Sequence, residues 1–192
     1  MKISIITPSL CRPSLRDCCH SVDIQLGAEW QHIVCFDLPE SEIDSDLMFS
    51  LAHPCRTFLS TGQRYGHYGN HARWLAWEKA TGAYCCFLDD DNTLARPDAL
   101  ADISACLVRD HFPDFAIFPI HRHGSVFFHV PPRMCFTDSA NLCVKTKIGR
   151  WPDIEMREAD GYFADQLTSS YAYSAFPDVE PVIRMERSSN GV

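Results

Sequence analysis

The sequence predicts an α/β fold, a Rossmann-like arrangement in which a mixed, mainly parallel sheet is flanked by helices. Three observations predict an alternating α/β domain. Apolar, β-branched runs alternate with stretches of helical periodicity to about residue 120. The chain opens on such a run, Lys2 to Thr7 (KISIIT). Another run, Ala83 to Leu88 (AYCCFL), leads straight into three aspartates, and a parallel α/β sheet binds its ligands at the carboxyl ends of its strands.

The elements follow in order. Pro8 should stop the first strand from continuing as an inner strand. From Ser14 to about Gln25 the apolar positions Leu15, Cys18, Cys19, Val22 and Leu26 recur at spacings of three and four, which predicts a helix. Gln31 to Phe36 (QHIVCF) predicts a second strand, ended by Asp37, Leu38 and Pro39, and Arg56 to Leu59 a weaker third. Residues 40 to 53 are acidic and without clear period, and read as a loop with room for one helical turn. Tyr65 to Asn70 (YGHYGN) forms a Gly-rich turn before a helix from His71 to Ala80, with Gly82 as its C-cap. After the strand at Ala83 to Leu88, Pro97 opens a helix over Asp98 to Arg109, and Phe115 to Ile120 is strand again. Beyond it come strand-like Ser125 to Val130 and Asn141 to Thr146, a turn at Gly149 to Pro152 and a helix from Asp160 to about Tyr171. The polar tail Ser188 to Val192 is expected to fray.

Composition narrows the function. The 192 residues suit a single domain, 1–192, able to bury a full core. With 46% hydrophobic and 22% charged residues, the chain is of ordinary globular type. A net charge of -8 argues against nucleic acid as a partner, since a phosphate backbone calls for clustered Lys and Arg. A single nucleotide stays compatible, because one metal ion or one or two arginines offset a diphosphate. The opening MKISIITPSL is too short, and too soon interrupted, for a signal peptide, so reduced cysteines and a cytoplasmic setting are expected. Cys35, Cys85, Cys86 and Cys143 sit in apolar runs and read as small buried hydrophobes. The pairs Cys18-Cys19 and Cys85-Cys86 are adjacent and lack the spacing of a zinc ligand pair. No apolar run predicts a transmembrane segment. Peripheral contact at the inner face of a membrane is compatible with this.

The sharpest chemical signal is FLDDDN, Phe87 to Asn92. Three consecutive carboxylates at the end of a buried strand repel one another, and a divalent cation relieves the conflict. Oxygen ligands of this kind suit Mg2+ or Mn2+. The structural alternative is a solvated acidic turn.

ISIITPSL, QHIVCFD, YGNHARWLAWEKATGAY and FLDDDN resemble, in order and spacing, the family 2 glycosyltransferases of the GT-A fold, over about residues 3 to 100. Weaker similarity continues through GRW (149–151) and EADGYFADQL (158–167), which looks like that family's acceptor-side region. The resemblance implies a nucleotide-sugar-binding half, 1–100, and an acceptor-side half, 101–192. It implies a nucleotide-sugar donor, a UDP-sugar being the first candidate, with Thr7, Pro8 and Ser9 beside the base and Asp37 facing the base or ribose. Arg73 would serve the base or diphosphate by fixed-geometry hydrogen bonds. In the DxD-type triplet, Asp89 would be the structural member, Asp90 would lie near the ribose and Asp91 on the metal, Mn2+ or Mg2+. Asp160 would be the base of an inverting transfer to a hydroxyl of a glycan or glycolipid acceptor, with Glu158 in reserve.

Each assignment has a structural alternative. Arg73 could be a surface helix arginine, Asp160 and Glu158 helix N-terminal carboxylates, and Asp165 ordinary surface. Asn70 and His71 read as capping and packing. Trp74 and Trp77, three apart on a helix, read as core. Trp151 is either core or an exposed platform for an acceptor sugar. His121, His123 and His129 read as loop or core residues before a metal cluster. Two rival functions stand. A sugar nucleotidyltransferase is disfavoured because TPSLCRPS, after the first strand, contains no glycine. A non-catalytic nucleotide-sugar binding module is the other.

Overall fold

The structure, a computed structural model, describes residues 1–185, so the tail Ser188 to Val192 lies outside the described residues. Its strands are β1 (Lys2–Ser9), β2 (Glu29–Phe36), β3 (Arg56–Ser60), β4 (Tyr84–Phe87), β5 (Asn92–Leu94), β6 (Phe115–Ile117), β7 (Ile120–Arg122), β8 (Ser125–Phe127), β9 (Leu142–Lys145), β10 (Tyr173–Ala175) and β11 (Ile183–Met185). The helices are α1 (Leu15–Asp23), α2 (Ser45–Ser50), α3 (Asn70–Trp77), α4 (Ala99–Arg109) and α5 (Ala159–Ser170). Seven strands form one sheet in the order β10-β6-β9-β4-β1-β2-β3. Every neighbouring pair is parallel except the two made by β9, which runs against β4 and β6. A smaller sheet, β5-β11-β7-β8, stands apart from it.

Strand periodicity explains how the large sheet is covered on both faces. Ile3, Ile5, Val34, Phe36, Tyr84 and Cys86 join one buried cluster with Leu15, Cys18 and Val22 of α1 and Leu100, Ile103 and Leu107 of α4. The alternate positions Ile6, Ile33, Cys35, Cys85 and Phe87 join a second cluster with Ala72, Ala76 and Trp77 of α3 and Phe163 and Leu167 of α5. Successive side chains of a strand point to opposite faces, and a parallel sheet with helices on both sides is apolar on both. Cys35, Cys85, Cys86 and Cys143 are buried, as their apolar context indicates.

The structure corrects several boundaries. β1 runs through Pro8 to Ser9, although it is an inner strand. Leu88 N donates to Ile6 O and Asp37 N to Ser9 O, so alternate residues of β1 serve β4 and β2 in turn. Pro8 falls on the β4 side after β4 has ended, where a missing N–H costs no ladder bond. Gly82 is no helix cap, since α3 ends at Trp77. Gly82 instead lies against β1, where an added Cβ would stand 2.6 Å from Ser4 N. The run 115–120 divides: β6 stays in the large sheet, and β7 enters the small one. Within 40–53, Asp44 accepts from Asp46 N and Leu47 N at 2.9 and 3.0 Å and so caps the six-residue α2. Among the described residues no helix is long and apolar enough to cross a membrane.

Candidate active site

The acidic triplet lies just past the end of β4, beside the last residues of β1. Leu88 N makes the last bond to Ile6 O, and the chain then leaves the sheet at Asp89-Asp90-Asp91. Asp90 turns inward and is 3% exposed. It accepts from Ser9 Oγ at 2.7 Å and Leu10 N at 3.3 Å, with Arg12 Nη1 3.5 Å away. Burial pushes its pKa up, while the Ser9 hydrogen bond and the Arg12 charge oppose the rise. Asp91 faces outward, with Arg12 Nη1 at 3.3 Å. Burial and then the neighbouring Asp89 carboxylate raise its pKa, against Arg12.

Asp89 is ion-paired with Arg73 Nη2. The same guanidinium donates from Nη1 to Tyr68 O at 2.8 Å and lies over the Trp151 ring, 5.1 Å from its centroid. Its buried Nε has no partner among the described residues. Arg73 is therefore a buried helix residue, not a surface one.

Asp37 caps a loop. Its Oδ1 accepts from Tyr65 N at 2.9 Å and its Oδ2 from Gly66 N at 2.8 Å. These bonds hold a segment in which Gly66, His67, Tyr68 and Gly69 all have positive φ, a conformation that costs free energy at non-glycine residues. Gly69 sits on Pro8, and a Cβ there would fall 2.8 Å from Pro8 Cβ. Tyr68 is left 64% exposed. Ser9 and Pro8 thus belong to the strand-end site through Asp90 and Gly69. Thr7 points the other way: its hydroxyl lies 2.9 Å from His32 Nε2, inside a buried network in which Arg56 Nε donates to His32 Nδ1 at 3.0 Å. Only the backbone of Thr7 can serve a ligand at the strand ends.

Asp160 lies in the first turn of α5 and is half-buried, accepting from Gly161 N at 2.7 Å. Burial raises its pKa to about 6; Asp138 and Asp89 add to the rise, and Arg73 opposes it. Asp160 is thus within electrostatic reach of the triplet. Glu158, the helix N-cap, is exposed and makes no side-chain cap bond. Asp165 accepts from Met134 N at 3.4 Å. Two residues that the sequence did not single out act on the strand-end aspartates or feel their charge. Arg12 supplies the cation beside Asp90 and Asp91. Asp138 sits in a capping box with Asn141, its pKa raised by burial and then by Asp89. The capping box is a local signal that could have located Asp138, whereas nothing local predicts where Arg12 points.

Trp151 is core, 1% exposed, and is not a platform for an acceptor ring. It packs on Phe87 and Phe163 at centroid distances of 4.7 and 5.2 Å. Trp77 is also core, donating from Nε1 to Thr146 O at 3.1 Å. Trp74 is only half-buried, with Arg150 Cζ 3.6 Å from its ring centroid. His121 lies on β7, His123 in the turn after it, and His129 Nδ1 is bonded to Pro131 O at 3.0 Å.

Among the described residues no three His, Cys, Asp or Glu side chains form a group that could hold a metal ion by themselves. Of the triplet, Asp90 is taken up by Ser9 and Leu10, and Asp89 by Arg73. Asp91 has one exposed ion-pair partner. It fits a hard cation that takes its remaining ligands from water and a diphosphate, the usual mode for Mg2+.

The fold is shared with solved structures that include a mannosyltransferase. The chain matches the crystal structure of S. aureus TarS 1-349 in complex with UDP-GlcNAc at a TM-score of 0.76 and 16% identity, covering 99% of this chain and 60% of that one. S. aureus TarS in a further crystal structure matches at 0.74 and 16%, covering 98% and 37%. The mannosyltransferase PcManGT from Pyrobaculum calidifontis, in complex with GDP-Man and Mn2+, matches at 0.71 and 17%, covering 98% and 58%. The chain thus spans at most 60% of the length of these three neighbours. No family model matches the sequence, and no curated protein matches it significantly.

Proposed function

We propose that the chain is a glycosyltransferase that moves a sugar from a nucleoside-diphosphate sugar to an acceptor hydroxyl, with inversion and with a divalent cation. The carrying observation is the charge arrangement at the strand ends, where Arg12 stands beside Asp90 and Asp91 and Arg73 pairs with Asp89. A half-buried carboxyl on α5, raised to about 6, shares the field of Arg73 and the strand-end aspartates. A base near 6 is ionised at neutral pH yet still accepts a proton as the reaction proceeds. Asp160 would take the proton of the acceptor hydroxyl while its oxygen attacks the anomeric carbon and the bond to the diphosphate breaks. Arg12, exposed at the strand ends, and the unpartnered Nε of Arg73 support an anionic donor. Asp91 would hold the cation, Mn2+ or Mg2+, which when bound offsets charge on the departing diphosphate. Ser9 and Asp90 would define the floor of the nucleotide site, and Asp37 would act through the loop it caps. Complexes of the structural neighbours with UDP-GlcNAc and with GDP-Man support this choice of donor.

Isothermal titration of UDP and GDP, each with Mn2+ and with EDTA, tests the donor site. Metal-dependent binding that Asp91→Ala abolishes is expected. No binding of either nucleotide under any metal condition overturns the proposal.

A further inference from the structure

The loop that leads to Asp160 is attached to the donor side by contacts that the chemistry above does not use. Residues 151–157 form no strand or helix, so bonds to other segments set their position. Asn70, at the start of α3, is 2% exposed and directs all of its side-chain bonding to that loop. Its Oδ1 accepts from Trp151 Nε1 at 3.0 Å, and its Nδ2 donates to Ile154 O at 3.0 Å and Met156 O at 2.9 Å. Beside it, His71 Nδ1 lies 3.0 Å from Asp153 Oδ2, and His67 Nε2 lies 3.6 Å from Glu155 Oε1. Met156 is four residues before Asp160.

The other side of this junction belongs to the strand-end site. Asp37 holds Tyr65 N and Gly66 N, Arg73 holds Tyr68 O, and Gly69 rests on Pro8. The Tyr65 ring stacks on His71 with centroids 3.8 Å apart. One short segment, 65–71, therefore touches both the strand-end aspartates' partners and the approach to α5. Its run of positive φ values leaves it dependent on those contacts for its shape.

We propose that Asn70, with His71 beside it, is a positioning residue that relays occupancy of the nucleotide site to the segment bearing Asp160. Nucleotide seated against the strand ends stiffens 65–71, and Asn70 carries that order to 151–163. The relay rests on the nucleotide site proposed above.

Hydrogen exchange tests it without requiring turnover. In the wild-type chain with Mn2+, whichever of UDP and GDP binds is expected to slow exchange roughly fivefold both in 65–73 and in 151–163. Asn70→Asp keeps an acceptor for Trp151 but sets a carboxylate oxygen against the two carbonyls. This variant is expected to bind nucleotide and protect 65–73 while losing protection in 151–163. Should it fail to fold, the more exposed His71→Phe, which keeps a ring on Tyr65 but loses Asp153, carries the test and should at least halve that protection. Protection confined to 65–73 in the wild type, or undiminished at 151–163 in the folded variants, overturns the relay alone. Failure of the wild type to bind either nucleotide overturns the nucleotide site, and the relay with it.

Discussion

Ser9 Oγ donates to Asp90 Oδ2 across 2.7 Å, joining residues 81 positions apart in the chain. The bond fastens the end of β1 to the middle of the acidic triplet, and it opposes the burial that raises the Asp90 pKa. Ser9→Ala should cost about 1–2 kcal/mol, because a buried carboxylate loses a donor. Chemical denaturation at pH 7 and at pH 4 checks this. The cost should shrink at the lower pH, where less carboxylate charge remains to be held.

Asp160→Asn should lower sugar transfer by roughly 10²- to 10⁴-fold, the ordinary range for loss of a general base. UDP and GDP affinities should stay within about twofold. An unchanged rate would remove Asp160 from the chemistry and turn attention to Asp138.

The pH dependence follows from the value of about 6 at Asp160. A base works only when ionised, so the rate should be level above about pH 7 and fall about tenfold per unit well below 6. Stability runs the other way. A carboxyl whose folded pKa is raised above its ordinary 3.8 destabilises the fold when ionised, fully above about 6 and not at all below 3.8. Asp160→Asn should therefore be more stable than the wild type to chemical denaturation near pH 7.5, by on the order of 1–2 kcal/mol after allowance for partial exposure, with the difference nearly gone near pH 3.5.

Asp91→Ala should abolish the Mn2+-dependent part of nucleotide binding while leaving stability within about 0.5 kcal/mol, because its carboxylate is partly exposed and its Arg12 pair is a surface one. Titration calorimetry and thermal melting of the same sample separate the two effects.

Trp151→Ala should destabilise the fold by about 3–5 kcal/mol, the range for emptying a buried aromatic site. Asn70 Oδ1 would lose its donor as well. A variant of unchanged stability with only a raised acceptor KM would contradict the burial of this ring.

Much of the architecture was legible in the chain. The runs at 2–7, 31–36 and 83–88 are apolar on both faces, and that suffices to mark inner strands of a parallel sheet covered by helices. FLDDDN announced charge gathered at a strand end, and the triplet is there. Other features depended on distant partners. Pro8 could remain in an inner strand only because β4 stops short of it. Phe115 to Ile120 looks like one strand, but the chain changes sheets within it. Trp151 lies in a segment without helix, strand or turn, which local sequence cannot label as buried, and Phe87, Phe163 and Asn70 pack around it.

The sequence by itself determined the alternation of strands and helices, the buried cysteines and the acidic strand end, because periodicity and like-charge crowding act within a few residues. Tertiary structure alone decided which of those residues come together. It turned Thr7 toward His32, set Asp37 to cap the loop at Tyr65 and Gly66, and brought Arg12 to Asp91. It also placed Asp138 and Asp160 in one electrostatic field with Asp89. These relations join segments about 20 to 80 residues apart, and only the packing of helices against both faces of the sheet sets their distances.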